Sequence, residues 1–293
     1  MTTDRRRFLA AAAGLAGVAA LPSCKNREPG STPASPHDPT LIRVASVPTA
    51  VEGKLLPALV TAFEKTSAMR VELVTNPGLY DAARAGKVDL AVSHYGHRDA
   101  EQFVVDGFGE WPRTIFSNQM ALVGPPSDPA GVRGSTDVVD AFARIAAQKR
   151  PFVMNELDGI RYLVEILWHA AGMPDRTGWL HDHKQEDALR EAARRGAYTF
   201  WGLTPFLRTR RNESLALEPL VLADPMLQRM LVAIVVRPDA VAGVNAAGAR
   251  AFQQFLLAPS TQALIRGTRY SDDEPAVYWV PAGRNNRDAV LPT

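Results

Sequence analysis

The sequence predicts an α/β fold of two lobes, each a mostly parallel sheet flanked by helices. From residue 41 onward, short apolar strands alternate with amphipathic helices, a pattern that implies parallel pairing with helices on both faces of a sheet. The alternation occurs twice, and a long extended segment at 113–124 follows the first set. A strongly apolar strand at 230–238 then returns the chain to the first lobe.

The first lobe is predicted to span residues 41–123. It opens with a strand at 41–47, and the helix that follows has five apolar residues on one face, namely Leu55, Leu56, Leu59, Val60 and Phe63. The other predicted elements are a strand at 70–75, a short helix that ends at Gly86, a buried strand at 88–94, a helix that stops at Gly107 and the extended segment.

The second lobe is predicted to span residues 124–229, and residues 230–293 return to the first lobe and form a C-terminal tail. The predicted elements are helices at 136–148, 159–172, 185–196, 245–257 and 259–267 and strands at 151–154, 197–200, 219–222 and 230–238. Open parallel sheets bind ligands beyond the carboxyl ends of their strands. We therefore expect the site in the loops after the strands at 41–47, 70–75, 88–94, 151–154 and 197–200.

Composition excludes several classes of protein. The chain has 293 residues, of which 46% are hydrophobic and 22% charged, which is ordinary for a globular protein. Its single cysteine excludes a disulfide framework and a cysteine-based zinc site. Of the charged residues, only Asp4, Arg5, Arg6 and Arg7 lie in the first 23, so the remainder has 30 basic and 30 acidic residues. This balance argues against a nucleic-acid partner.

Residues 1–23 are predicted to be an export signal. The pair Arg5-Arg6 before a short apolar stretch resembles a twin-arginine signal, and that stretch is too short for a membrane span. "LPSC" resembles a lipobox, which predicts lipidation of Cys24. Pro22 is unusual there, so simple cleavage or an uncleaved anchor stays open. Residues 24–40 contain four prolines and are predicted to form a flexible tether. The protein is thus expected outside the cytoplasmic membrane.

Much of the chain resembles one known family, the tungstate/molybdate-type solute-binding proteins of ABC importers. The segments that carry the resemblance are "LLPALVTAFEKTSAMRVELV", "GKVDLAVSH", "EQFVVDGFGE", "NQMALVGPPSDPAGV", "RRGAYTF" and "AFQQFLLAPSTQALI". The resemblance implies the type II periplasmic-binding-protein fold. It also implies a monomer that captures a small ligand between two lobes, closes about a hinge near Gly124 and Met230, and docks on a membrane permease.

The resemblance further implies candidate ligand-binding residues, because this family holds its oxyanion with hydroxyl and backbone N–H groups. Ser46 and Thr49 stand in the first loop, and Asn76 follows in the second. His94 matches a family histidine at a strand end, and Thr199 could reach the cleft from a short strand.

The segment "NELDGI" departs from the family pattern. Where the family has an arginine and a Ser-Gly-Thr turn at a helix start, this chain has Met154, Asp158 and Ile160. An oxyanion site needs donors and positive charge, and Glu156 and Asp158 would repel the anion. The ligand could be an oxyanion, or a neutral or cationic molecule that prefers the two acids.

Two roles are open for the acidic residues and their neighbour. Asp158 is expected to cap a helix that starts at Gly159, by accepting from a backbone N–H near Arg161. Asp158 could instead face the ligand. Arg161 could pair with Asp158 or Glu156, or point into the cleft as a replacement cation.

Catalytic and metal-binding patterns are weak. There is no G-x-S-x-G elbow, P-loop or H-E-x-x-H motif, so we predict a binding protein with no catalytic residues, cofactor or metal. The segment "HDHK", with His181, Asp182 and His183, could ligate a metal but is expected to be an exposed loop. Trp201 and Phe206 could stack on an organic ligand or pack in the core.

The resulting prediction is an extracytoplasmic solute-binding protein that captures a small ligand for an ABC importer. The family default is an oxyanion. The alternatives are a ligand sensor that takes no part in transport, a binding module that has lost its ligand and, third, a metal-dependent enzyme.

Overall fold

The computed structural model describes residues 38–75, 78–96, 98–155, 157–183, 187–269 and 279–282. The predicted export signal, Cys24, Asn76 and Glu156 lie outside these ranges, as do the side chains of Asp158 and His183. The described residues belong to one compact unit.

Ten strands lie in the described ranges: β1 Leu41–Ser46, β2 Arg70–Thr75, β3 Leu90–His94, β4 Arg113–Gly124, β5 Phe152–Asn155, β6 Leu180–His183, β7 Thr199–Gly202, β8 Glu218–Val221, β9 Gln228–Val235 and β10 Val280–Pro281. Ten α-helices accompany them: α1 Pro48–Glu52, α2 Leu55–Glu64, α3 Leu79–Arg84, α4 Arg98–Val105, α5 Val138–Ala147, α6 Asp158–Ala170, α7 Asp187–Arg195, α8 Leu203–Glu213, α9 Ala246–Leu257 and α10 Pro259–Gly267.

The sheet topology is organised around β4. One group of strands has the order β10-β4-β9-β3-β1-β2, in which β1 pairs in parallel with β2 and β3 while β9 runs antiparallel to β3 and β4. The partner of β4 changes at Gln119 and Met120: residues up to Gln119 pair with β9, and residues from Met120 onward pair with β7 and β8. β5 pairs in parallel with β6. The α/β prediction is confirmed, with antiparallel strands added where the chain crosses between the two groups.

Asp89 is the most connected buried charge in the first group. It is fully buried just before β3. Its carboxylate accepts from the Arg43 Nη2 at 2.6 Å, from the Arg43 backbone N–H at 2.7 Å and from the backbone N–H of Asn245 at 2.8 Å. Asn245 is the N-cap of α9, so this one carboxylate connects β1, β3 and the start of a C-terminal helix.

The second group has an aromatic core. Phe142 of α5, Phe152 of β5 and Trp179 are fully buried and meet edge to face, with ring centroids 5.4 to 6.4 Å apart. Phe200 of β7 joins them at 5.7 Å from Phe152. Aromatic rings contribute large buried areas and favour such tilted contacts, so this cluster fixes α5 and β7 against β5.

Two buried tyrosines are expected to make the free energy of unfolding depend on pH in the alkaline range. Burial raises the pKa of Tyr80, whose hydroxyl lies 2.5 Å from Ser93 Oγ, to about 12, and burial likewise raises that of Tyr198 to about 12. An unfolded tyrosine ionises near pH 10, so the unfolded state loses protons first as the pH rises above 10. The free energy of unfolding should therefore fall between pH 10 and 12, by up to about 1.4 kcal/mol per pH unit for each tyrosine.

Urea unfolding at pH 9, 10 and 11 tests this dependence. Tyr80→Phe is expected to remove the contribution of Tyr80 to this pH dependence and to keep the contribution of Tyr198. The urea midpoint of the variant should therefore fall less steeply with pH than the midpoint of the unchanged protein. Equal slopes in the two proteins would contradict the role given to Tyr80.

Candidate functional site

The first predicted loop begins at the carboxyl end of β1. Ser46 is fully buried there, and its hydroxyl donates to the backbone carbonyl of Val47 at 3.1 Å. Thr49 is the second residue of α1 and is partly exposed. Thr49 can therefore present a hydroxyl to a ligand, whereas that of Ser46 is turned to the backbone.

His94 and Thr199 lie in different strand groups. His94 is partly buried at the end of β3, where it pairs in register with Leu231 of β9. Thr199 is fully buried in β7 opposite Val123, and its hydroxyl has no hydrogen-bond partner. Both side chains remain candidates, and Asn76 lies outside the described residues.

The start of α6 corrects one prediction. Leu157, not Asp158, is the N-cap residue, and the helix begins at Asp158. The backbone carbonyl of Leu157 accepts from the N–H groups of Ile160 and Arg161, and the side chain of Asn155 accepts from the N–H of Leu157 at 2.9 Å. The predicted cap role of Asp158 is wrong because the helix begins one residue earlier than predicted. The hydrogen bond from the Leu157 N–H to the Asn155 side chain fixes this start.

Arg161 lies at the protein surface. Its side chain is exposed on α6 and lowers the pKa of Glu165, after the larger effect of the hydrogen bonds from Arg176. Arg176 holds Glu165 with two hydrogen bonds of 2.9 and 2.6 Å. Arg161 thus stands at the edge of an ion cluster on the outside of the helix.

A different arginine reaches the start of α6. The guanidinium of Arg229, near the beginning of β9, packs so closely on Gly159 that a Cβ there would lie 2.5 Å from Nη2 and 2.8 Å from Cζ. Its Nη1 also lies 3.9 Å from the Met120 sulfur. Burial lowers the pKa of Arg229, and among the described residues no carboxylate pairs with it. A desolvated cation therefore stands at the second residue of a 13-residue helix.

Two further polar groups lie along the same part of β4. Asn118 pairs in register with Arg229, and cross-strand partners share one face of a sheet. It is 4% exposed, and its Oδ1 has no hydrogen-bond partner. Met120, whose sulfur contacts Arg229, pairs with Gly202 of β7, and Thr204 follows Gly202 by two residues at the start of α8. The Thr204 hydroxyl is also buried without a partner.

The start of α8 adds a second helix terminus. Its N-cap is Gly202, which has no side chain to accept from the first N–H groups, and Thr204 is its second residue. Helix N-termini present free N–H groups and partial positive charge. Across the same region an ion pair joins Glu52 of α1 to Arg208 of α8 at 2.6 Å, so the helix after β1 contacts the helix after β7.

Aromatic stacking and metal binding find no support in the described residues. Trp201 is 5% exposed and Phe206 is fully buried, so both pack in the core. His181 and Asp182 lie in β6, which pairs with β5, so the prediction of a loop is wrong there. Within the described ranges no group of three His, Cys, Asp or Glu side chains could hold a metal ion.

One surface depression, of about 570 Å³, lies at the other end of β9 beside Trp111. Its charges are already paired, Arg237 with Asp239 and Arg250 with Glu110. It therefore offers no uncompensated charge to a ligand. Of the helices in the described ranges, none has the length and apolar character needed to cross a membrane.

The sequence did not reveal Arg229, Asn118 and Thr204 as site residues. The available signal was an arginine at the start of the otherwise apolar segment "RMLVAIVV". No local pattern marks Asn118 and Thr204, because Asn118 and the start of α8 are brought near Arg229 only through the strand pairing of β4.

Comparison with known proteins finds relatives over most of the chain. A Haloferax volcanii protein, named an ABC transporter anion-binding protein, is 31% identical over 286 residues and covers 90% of this chain and 83% of that protein. The tungstate-binding protein TupA of Peptoclostridium acidaminophilum is 28% identical over 232 residues, 76% of this chain and 80% of its own. No family model matches the sequence.

A solved structure shows the same fold. The tungstate-binding protein TupA of Desulfovibrio alaskensis superposes with a TM-score of 0.69 over 82% of this chain and 98% of that chain, at 24% identity.

Proposed function

This chain belongs to the anion-binding proteins of ABC transporters, and from that premise we propose that it captures a small oxyanion between its two lobes and delivers it to a membrane permease. The observation that carries the proposal is the 31% identity to an anion-binding protein over 90% of the chain. The likeness in fold to a tungstate-binding protein also confirms the predicted two-lobed type II periplasmic-binding-protein fold.

The geometry supports an anion as the ligand. The starts of α6 and α8 both lie near Met120, where β4 changes partners, because Arg229 contacts Gly159 and Met120 while Gly202 pairs with Met120. Helix starts offer N–H donors, and Arg229 adds a cation there. These are the groups that bind an oxyanion without covalent chemistry. The relatives are binding proteins, and the absence of a catalytic motif in the sequence agrees with a role in capture.

The setting of the protein follows from the same relatives. A binding protein of an ABC transporter works outside the cytoplasmic membrane. The basic start and "LPSC" then suggest twin-arginine export and a lipid on Cys24, with residues 24–40 as the tether. The lobes at 41–123 and 124–229 would close on the ligand as a monomer, and the closed form would dock on the permease.

Thermal unfolding with added anions tests the function. Tungstate, molybdate, sulfate and phosphate would be titrated into the purified protein, with chloride at equal ionic strength as control. A ligand that binds only the folded state stabilises it by about 2.7 kcal/mol at 100 times its Kd, so at least one oxyanion should raise the melting temperature with saturation. If no oxyanion shifts the transition while a divalent metal or an organic cation does, the proposal is wrong.

A further inference from the structure

We propose that Arg229, Asn118 and Thr204 form the anion anchor of this chain, an inference that rests on the proposed function. The cation of the site would come from β9. It would not come from the segment 154–158, where the sequence has Met154, Glu156 and Asp158.

Electrostatics favours an anion beside Arg229. Arg229 lies against the second residue of α6, where the helix dipole is also positive. Two positive groups in contact repel each other, and burial makes the repulsion stronger because less water screens it. No carboxylate among the described residues relieves it. An anion that contacts both the guanidinium and the N–H groups of the helix start would turn this repulsion into two attractions.

A buried polar side chain lies beside that cation. Asn118 is 4% exposed, and its Oδ1 has no partner although buried polar groups are nearly always hydrogen-bonded. Its register partner is Arg229, so both side chains stand on the same face of the sheet. Rotation of the amide would offer its N–H₂ to an anion, which would satisfy the side chain.

Further donors lie at the other edge of β4. Met120 contacts Arg229 through its sulfur and pairs with Gly202, the N-cap of α8, so the start of α8 with Thr204 lies close to Arg229. The buried hydroxyl of Thr204 has no partner and can donate. It sits on the second residue of α8, whose uncapped N–H groups add further donors.

Together these groups fit a small tetrahedral oxyanion. The guanidinium supplies a fork of two N–H donors. The Asn118 amide supplies an N–H donor, the Thr204 hydroxyl supplies an O–H donor, and two helix starts supply backbone N–H groups. Donors from β9, β4, α6 and α8 would approach the ligand from different directions. A tetrahedral oxyanion has an oxygen atom to accept from each of them. A planar carboxylate would leave part of this set unused.

Calorimetric titration of tungstate and sulfate into four variants tests the anchor. Arg229→Gln is expected to weaken binding by about 100-fold, because it removes two charge-assisted hydrogen bonds. Asn118→Leu and Thr204→Val should each weaken it by about 5- to 10-fold. Arg161→Gln is the matched control: it removes the same charge from an exposed position of α6, and its affinity should stay within about twofold.

A second readout separates a ligand anchor from a structural arginine. Without ligand, Arg229→Gln should keep or raise the melting temperature, because it removes a desolvated cation from the positive end of a helix. Arg229→Lys keeps the charge without the fork and should bind with intermediate affinity.

The outcomes distinguish the anchor from the function. If the unchanged protein binds no oxyanion, the proposed function fails and the anchor with it. If it binds tungstate or sulfate and Arg229→Gln binds equally well, only the anchor is overturned. A lower melting temperature of ligand-free Arg229→Gln with unchanged affinity would show a structural role, and loss of binding in Arg161→Gln alone would place the cation on α6.

Discussion

Replacing Asp89 by alanine is expected to lower the free energy of unfolding by about 3–5 kcal/mol, the largest effect on stability that we predict for a single side chain. The carboxylate is fully buried and accepts from Arg43 and from the backbone of Asn245. Its removal leaves a guanidinium that is only 20% exposed without its counter-ion, and two backbone N–H groups without their acceptor.

The measurement is urea unfolding at neutral pH, and the matched control is Asp239→Ala. Asp239 also pairs with an arginine, Arg237, but at an exposed position. The urea midpoint of Asp239→Ala should stay close to that of the unchanged protein because exposed ion pairs contribute little to stability. A midpoint of Asp89→Ala equal to that of Asp239→Ala would mean that the buried network adds nothing to stability.

Replacing Gly159 by alanine is expected to weaken anion binding by at least about tenfold, the loss of one charge-assisted hydrogen bond, and to leave the fold intact. The new Cβ would lie 2.5 Å from the Arg229 Nη2, so the guanidinium must move off the start of α6. The side chain is flexible at that end, so the fold can adapt. Alanine also has a higher helix propensity than glycine, by up to about 1 kcal/mol.

The control for this second variant is Gly267→Ala. Gly267 is the last residue of α10, and a Cβ there meets no atom within 4 Å. Both variants would be titrated with the same oxyanion and unfolded thermally without it. Full affinity in Gly159→Ala would show that the contact with Arg229 has no part in binding.

Much of the fold could be predicted from the sequence because its elements carry clear periodicity. The extended segment at 113–124 is β4, from Arg113 to Gly124, and the apolar face of α2 is the one that is buried. β6 was harder, since "LHDH" lacks the apolar character expected of a strand. It is held by pairing with β5, which a local pattern does not reveal.

The start of α6 shows why the site was less predictable. Capping depends on the residue at which the chain turns, and a shift of one position moved the N-cap from Asp158 to Leu157. Likewise, a search for the cation near Arg161 could not find Arg229, which lies 68 residues later in the chain and reaches Gly159 through the fold. Local sequence reports which residues a segment contains, while the site depends on long-range register.

The twelve-residue β4 also bears on how such a protein can evolve. One unbroken strand supplies hydrogen bonds to both groups, to β9 before Met120 and to β7 and β8 after it. The two groups of strands are therefore poorly suited to exchange by recombination. A group taken from another protein would have to pair with the existing edge of β4. The loops at the strand ends are under no such constraint. Ligand preference can drift there by point substitution while the shared strand keeps the architecture unchanged.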